Sequence, residues 1–228
     1  MTKRGRGFAH SPSLPVAVLL GVTPALATAQ FRAMALAVTI GFALAIAAHW
    51  RHHRRLPWPR ATAPVLLAGA LIGWALVATL WSAEARHGIG TALGLAALLV
   101  LAAMAARALA EDDAAHVARV GGILLPGLAL GVALMAFDHA SGNMFRLAVR
   151  GFPEWTERIT FGLKPAVSVL ALMLPLLLLV PGLSRAALAA LLACAVAVAL
   201  WLPGDSAKIA TVVGLGVALL ARVAPLFA

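Results

Sequence analysis

The stretch VGGILLPGLALGVALMAF, residues 120–137, carries no charged side chain and is close to the length that a helix needs to cross a hydrocarbon core. Further runs of mostly uncharged, apolar residues precede and follow this stretch along the chain. They lie at 14–30, 33–48, 64–81, 88–106, 165–181, 186–202 and 208–225. The sequence therefore predicts about eight membrane spans.

The composition agrees with this pattern, because 63% of the residues are hydrophobic and only 11% are charged. Ala, Leu and Val dominate, and lipid-exposed backbone must satisfy its own hydrogen bonds, which favours helices over barrel strands. The predicted fold class is all-α, a polytopic transmembrane helix bundle. We expect one membrane domain over residues 1–228, with a cytoplasmic basic tail at 1–13 and one longer external amphipathic loop at 138–164.

The distribution of Lys and Arg predicts the orientation of the spans, since short cytoplasmic loops retain positive charge. With the N-terminus in the cytoplasm, the internal side holds 11 of the 18 basic residues: Lys3, Arg4, Arg6, Arg51, Arg54, Arg55, Arg60, Arg107, Arg119, Arg185 and Arg222. The net charge of +10 is concentrated at helix ends, where it can meet anionic headgroups, and no aromatic-interleaved basic stripe indicates nucleic acid. Membrane lipids are the predicted partners.

The first span has a second interpretation as a cleaved signal peptide. Three basic residues precede the apolar run from Leu14 to Val22, and Ala27-Thr28-Ala29 could serve as a small-residue cleavage site. Either interpretation leaves the topology of the later spans unchanged.

The external loop contains the first candidate binding residues. Arg146 and Arg150 are four residues apart, so a helix over Met144 to Val149 would place both guanidinium groups on one face. Guanidinium groups can bind phosphate oxygens through two parallel hydrogen bonds. The alternative is an amphipathic surface helix whose charges are simply solvated.

A second external feature is the turn Pro203-Gly204 followed by Asp205 and Ser206, either of which could cap a helix start. Lys208 then lies near the external end of the last span. Its ammonium group could face a lipid-linked anion, or it could extend to the membrane surface without binding any specific ligand.

Other titratable residues are weaker candidates. Glu84 and His87 could act as an acid and a base, but one sequence does not show that they converge. His49 and His53 share a helix face, yet the nearby arginines would repel a dication, so we expect a basic membrane anchor there and no metal site. The acidic run that begins at Glu111 is interpreted as the first turn of a helix or as metal ligands, with neither preferred.

Glycine spacing predicts where helices approach one another closely. Small residues four positions apart allow two backbones to come together in a membrane. Three such pairs occur in the predicted spans: Gly69/Gly73, Gly90/Gly94 and Gly127/Gly131.

The stretch from Leu71 to Ala110 resembles the N-terminal half of the O-antigen ligase and polymerase family: a membrane helix ends in Leu80-Trp81-Ser82, and Glu84-Ala85 and a further helix follow. In that family a polar external segment precedes a helix pair, and a Ser-Arg-Gly-Ala-like motif opens the next helix. The corresponding residues here are Ser206-Ala207-Lys208-Ile209-Ala210. The resemblance covers most of the chain and implies a glycosyltransferase of the bacterial inner membrane.

The resemblance also implies the chemistry. Members of this family transfer a glycan from an undecaprenyl-diphosphate carrier to a lipid or glycan acceptor on the periplasmic side, in lipopolysaccharide and surface polysaccharide biosynthesis, with no nucleotide sugar, metal or other cofactor. Cations must then hold the departing diphosphate. Lys208 stands where the family has arginine, and Arg146 and Arg150 are helpers by general location. No catalytic residue is assigned.

Two departures from the family pattern shape the alternatives. Lysine binds phosphate as a point charge and lacks the bidentate geometry of arginine. The family's large external loop, with a further arginine and a histidine proposed as base, follows the region matched here. We therefore expect a truncated product or a partner chain that supplies the missing half. The alternative function is that of a non-enzymatic polytopic membrane protein, either a small transporter-like bundle or an assembly subunit.

Overall fold

The structure is a computed structural model that describes residues 8–81, 85–150, 163–179 and 183–223. Helix accounts for 88% of these residues, and they contain no strand. The predicted all-α class is confirmed.

Nine α-helices lie in the described residues, in the order α1 (Ser13–Ala29), α2 (Phe31–His53), α3 (Ala63–Ala78), α4 (Ala85–Ala110), α5 (Ala114–Ala140), α6 (Met144–Arg150), α7 (Leu163–Leu179), α8 (Arg185–Trp201) and α9 (Asp205–Val223). Short 3₁₀ helices cover Phe8–His10 and Thr79–Trp81. Every predicted apolar run overlaps one of these helices. The length of a run and its lack of charge are local features of the sequence that favour a helix.

Four segments of the described chain are long and apolar enough to cross a membrane: Ala33–His53, Ala63–Trp81, Ala85–Ala110 and Ala114–Ala140. Three further apolar helices are shorter, Ser13–Ala29, Leu163–Pro175 and Arg185–Trp201. A helix of 17 residues such as α8 rises about 25 Å, against a hydrocarbon core of about 30 Å. The chain is thus a membrane protein by its apolar helices, while the predicted number of about eight spans is not confirmed.

The chain forms two compact units. Unit 1 comprises Met1–Val16 and Thr39–Asp113, and unit 2 comprises Ala17–Val38 and Ala114–Ala228. The single membrane domain expected over residues 1–228 stays a prediction. Part of the expected tail (residues 1–7) and part of the expected external loop (residues 151–162) lie outside the described residues.

Within unit 1, α3 packs against α4, and α3 contains no buried residue. The few buried side chains of α4 are small or flexible, and three of them are near its C-terminal end: Met104, Ala105 and Ala108. An open groove of about 700 Å³ lies between the two helices and is lined mostly by apolar side chains, with Arg60 and Arg107 among them. Apolar lining of this kind is expected on any surface that faces lipid.

Within unit 2, the core is formed by α5, α7, α8 and α9, and α7 and α9 pack closely. The α7 side chains Leu163, Leu170 and Leu177 are fully buried. A Cβ placed on Gly214 of α9 would lie 3.0 Å from Cγ of Pro175, so the two helices touch at that level. This core positions the ends of its helices, and the polar residues of unit 2 described below lie at one of these ends.

The glycine pairs differ in their surroundings. A Cβ on Gly127 would lie 2.6 Å from Cα of Gly21, and a Cβ on Gly131 would lie 2.6 Å from Cβ of Pro24, so this pair does bring α5 against α1. The prediction of close approach is confirmed there. At Gly69/Gly73 and Gly90/Gly94 an added Cβ would meet no described atom within 4 Å, because these faces of α3 and α4 are not covered by the described chain.

Candidate functional site

One end of unit 2 collects polar side chains from five helices. His139, at the end of α5, makes an edge-to-face ring contact with Trp201 at the end of α8, with centroids 4.7 Å apart. Cγ of Lys164, at the start of α7, lies 3.9 Å from the position that a Cβ added to Gly204 would occupy. Gly204 directly precedes α9. We call this the polar end of unit 2, formed by Asp138, His139, Arg146, Lys164, Trp201, Asp205 and Lys208.

Arg146 is fully buried there and pairs with Asp138, which is also fully buried. The Arg146 backbone N–H donates to Oδ1 of Asp138 at 2.9 Å, and its Nε donates to Oδ2. A second guanidinium nitrogen donates to Oδ1 of Asn143. The carboxylate of Asp138 therefore holds both the first turn of α6 and its arginine side chain.

The turn between α5 and α6 makes this pairing possible. Gly142 and Asn143 both have positive φ, at 70° and 74°, a conformation that glycine and asparagine adopt most readily. The Asn143 N–H donates to the Asp138 carbonyl at 2.6 Å, so the chain reverses directly onto the end of α5. In the sequence, the signal for this contact is the Ser-Gly-Asn segment at 141–143, between Asp138 and Arg146.

The structure gives Arg146 different surroundings from those expected of a solvated loop arginine. Its guanidinium group points into unit 2 and is bound to a carboxylate. The side chain of Arg150 lies outside the described residues, so its position relative to Arg146 is not described. The proposed phosphate contacts of both arginines stay predictions.

Lys208 lies one turn into α9, as the sequence predicted for a helix that starts after Gly204. The Lys208 N–H donates to the Gly204 carbonyl at 3.1 Å, and φ of Gly204 is +133°, which favours glycine at this turn. The Lys208 ammonium lies 3.2 Å from Oδ1 of Asp205, whose side chain is 93% exposed. A partner so well solvated holds the lysine only weakly.

Unit 1 contains a second group of titratable residues, at the end where α2 and α4 finish. The rings of His49 and His53 stack with centroids 4.3 Å apart, so their predicted common face is confirmed. Nε2 of His49 lies 3.4 Å from Oε2 of Glu111, without the alignment of a hydrogen bond. We call these three residues the His–Glu cluster.

Two arginines also bind the carboxylate of this cluster. Nη2 of Arg55 lies 3.1 Å from Oε2 of Glu111, and Arg107, one turn earlier along α4, binds Oε1. Burial acts to raise the pKa of Glu111, but Arg107 and Arg55 outweigh it, and its pKa lies below its usual range. Glu111 is therefore an anion at neutral pH.

Asp112, the next residue of the acidic run, binds the start of α1. Oδ2 of Asp112 accepts hydrogen bonds from the hydroxyl groups of Ser11 and Ser13, and from the Ser13 N–H at 3.3 Å. A carboxylate at this position stabilises the unpaired N–H groups that begin α1. Neither interpretation of this run from the sequence included that contact.

The remaining acid–base candidates are not brought together by the described residues. Glu84 lies outside them, and His87 is exposed on the first turn of α4, where its carbonyl accepts a hydrogen bond from Thr91. Their proposed acid–base role stays a prediction.

Comparison with known proteins gives no match: no family model, no curated protein and no solved structure matches this chain.

Proposed function

We propose that this chain is an O-antigen ligase-like integral membrane protein, related to the transfer of undecaprenyl-diphosphate-linked glycan in the assembly of surface polysaccharide. The polar end of unit 2 would receive the diphosphate of the carrier. The observation that supports this most is the meeting of Lys164 with the Gly204 turn that leads to Lys208, which brings two cations to one end of unit 2.

Each cation would have its own part in binding the diphosphate. Lys208 is only partly exposed and its recorded ion-pair partner is a solvated carboxylate, so exchange of Asp205 for a phosphate oxygen requires little rearrangement. A lysine ammonium binds phosphate as a point charge, and a second cation at Lys164 would add to the attraction.

Arg146 would act on this site through the backbone. Because its guanidinium group is bound to Asp138 and Asn143, it fixes the start of α6 next to the end of α5. In the proposed site Arg146 therefore positions α6, and Arg150 at the end of α6 supplies a further cation.

The proposed topology has the polar end of unit 2 facing the periplasm, the N-terminus in the cytoplasm and all eight long helices in the inner membrane of a bacterium. Helices of 17 residues can be accommodated by local thinning of the bilayer and by flanking residues that reach the interface. Lys164 and Lys208, near the starts of α7 and α9, and Arg185 at the start of α8 are suited to that position.

A binding experiment tests this proposal. We expect the full chain in lipid nanodiscs to bind undecaprenyl diphosphate, Lys208→Ala to weaken that binding, and Lys208→Arg to preserve it. Arg185→Ala is the matched control, because Arg185 is also a cation at a helix start but lies at the opposite end of unit 2. Equal binding by the wild type and Lys208→Ala would remove Lys208 from the proposed site.

The same titration separates the alternative function. A non-enzymatic membrane protein, whether a small transporter-like bundle or an assembly subunit, would not bind undecaprenyl diphosphate through Lys208. Transfer itself is tested by complementation of a strain that lacks surface-glycan ligation, with the chain alone and together with an adjoining downstream frame. Activity only with the second frame would support a site that is formed together with a partner chain.

A further inference from the structure

We propose that His49, His53 and Glu111 form a binding site for a divalent transition-metal cation, with Zn²⁺ as the ion that the donor set fits best. The site lies in unit 1, where α2 and α4 end, and it is separate from the proposed diphosphate site in unit 2. Among the described residues, the three side chains of the His–Glu cluster form a group that could hold a metal ion.

The surroundings of His49 are the first reason. Its side chain is 1% exposed, and neither Nδ1 nor Nε2 has a hydrogen-bond partner among the residues that the structure describes. Buried polar side-chain atoms are nearly always paired, since a lost hydrogen bond to water must be replaced. A metal ion at Nε2 would supply the missing interaction.

The distances are the second reason. For Zn²⁺ bonds of about 2.0–2.1 Å at tetrahedral angles, neighbouring donor atoms lie about 3.3–3.4 Å apart. Nε2 of His49 and Oε2 of Glu111 are 3.4 Å apart, and one donor atom from each of the three residues lies within 4.8 Å of the others. The His53 ring is stacked on that of His49, so the His53 side chain would rotate to complete a three-ligand set.

The donor types select the metal. Two imidazoles and one carboxylate suit Zn²⁺ and its neighbours in the first transition series, whereas Mg²⁺ and Ca²⁺ prefer oxygen ligands alone. Three protein ligands leave a fourth position for water or another ligand. Glu111 is already ionised, so it can bind the cation without losing a proton.

The two arginines at Glu111 have opposite effects on such a site. Arg107 binds Oε1 and leaves Oε2 facing His49, so it orients the carboxylate from the far side. Arg55 binds Oε2 and therefore competes with the metal, but its side chain is 65% exposed and can move into water. Metal binding would replace Arg55 at this oxygen, and loss of Arg55 should strengthen the site.

The test is a Zn²⁺ titration of the full chain in detergent micelles against a chromophoric chelator. We expect one Zn²⁺ per chain, with affinity reduced more than about 100-fold by His53→Gln and by Glu111→Gln. His87→Gln removes an exposed histidine elsewhere in unit 1 and should leave the affinity unchanged. Arg55→Gln should increase the affinity.

Co²⁺ in place of Zn²⁺ gives a second measurement, because visible absorption bands report four-coordinate nitrogen and oxygen ligands. His53 is only half-buried, and an unchanged melting temperature in the presence of chelator will show that His53→Gln is folded. Absence of Zn²⁺ binding by the wild type, or equal affinity of folded His53→Gln and wild type, would overturn the proposal.

Discussion

Two charged clusters in the described part of the chain, the Asp138–Arg146 pair and the His–Glu cluster, differ in how their polar atoms are satisfied. In unit 2, Asp138 and Arg146 are both fully buried, and backbone and side-chain donors bind both carboxylate oxygens. In unit 1, Glu111 is held by two arginines while the buried imidazole of His49 has no hydrogen bond within the described residues. A cluster whose polar atoms are hydrogen-bonded, here called satisfied, holds a turn in place. A cluster with an unsatisfied polar group can instead bind a ligand.

The largest expected effect is at the satisfied cluster. Asp138→Ala would leave the Arg146 guanidinium buried without its anionic partner, and removal of one partner from a buried pair costs about 3–5 kcal/mol. We expect the free energy of unfolding in detergent to fall by that amount. Asp205→Ala, which breaks the exposed pair with Lys208 and removes a carboxylate from the first turn of α9, should cost no more than about 1 kcal/mol.

A double substitution sharpens this result. Asp138→Leu with Arg146→Met removes both charges together, and apolar replacement of a whole buried pair is often neutral. The double variant should recover most of the stability that Asp138→Ala loses. A single variant as stable as the wild type would mean that Arg146 does not depend on Asp138.

The next effect concerns the cluster with an unsatisfied group. If His49, His53 and Glu111 bind Zn²⁺, free Zn²⁺ at about 100 times its dissociation constant should raise the free energy of unfolding by about 2.7 kcal/mol. Glu111→Gln should abolish this increase, and Asp138→Ala should retain it. Chelation of the metal should return the wild type to its metal-free stability.

The two kinds of glycine pair provide a third comparison. Gly127→Ala would place a Cβ 2.6 Å from Cα of Gly21, which forces α1 and α5 apart, and we expect a loss of about 1–3 kcal/mol. Gly90→Ala adds a Cβ where no described atom lies within 4 Å, and alanine favours helix, so a gain of up to about 1 kcal/mol is expected. Thermal unfolding of both variants measures the difference in sign. Equal destabilisation would contradict the description of the α3–α4 faces as uncovered.

The smallest expected effect is at the start of α1. Asp112→Ala would remove the acceptor for the buried hydroxyl groups of Ser11 and Ser13 and for the Ser13 N–H, at a cost of about 1 kcal/mol. Asp112→Asn is the matched control, because it keeps a side-chain oxygen as the acceptor. Denaturant unfolding of the two variants checks the prediction, and equal losses would contradict the role of the Asp112 side-chain oxygen as the acceptor.

The sequence predicted the helices well, because the length and lack of charge of an apolar run determine a membrane helix locally. The common face of His49 and His53 and the turn at Gly204 were also predictable, because helix periodicity and turn residues are likewise local features of the sequence. The partners of the charged residues were not. Arg146 meets Asp138 only through the positive-φ turn at Gly142 and Asn143, and Glu111 meets Arg55 across 56 positions of sequence through the approach of α2 and α4. Such contacts depend on tertiary structure, which charge and spacing alone do not specify.

The most direct test of the difference between the two clusters is amide hydrogen exchange of the wild type with and without Zn²⁺. We predict that Zn²⁺ slows exchange in residues 54–62 and 111–113, which border the His–Glu cluster and lie outside the helices, and leaves residues 141–143, at the Asp138–Arg146 pair, unchanged. Exchange that is unaffected by Zn²⁺ in all three segments, or slowed equally in all three, would contradict the account.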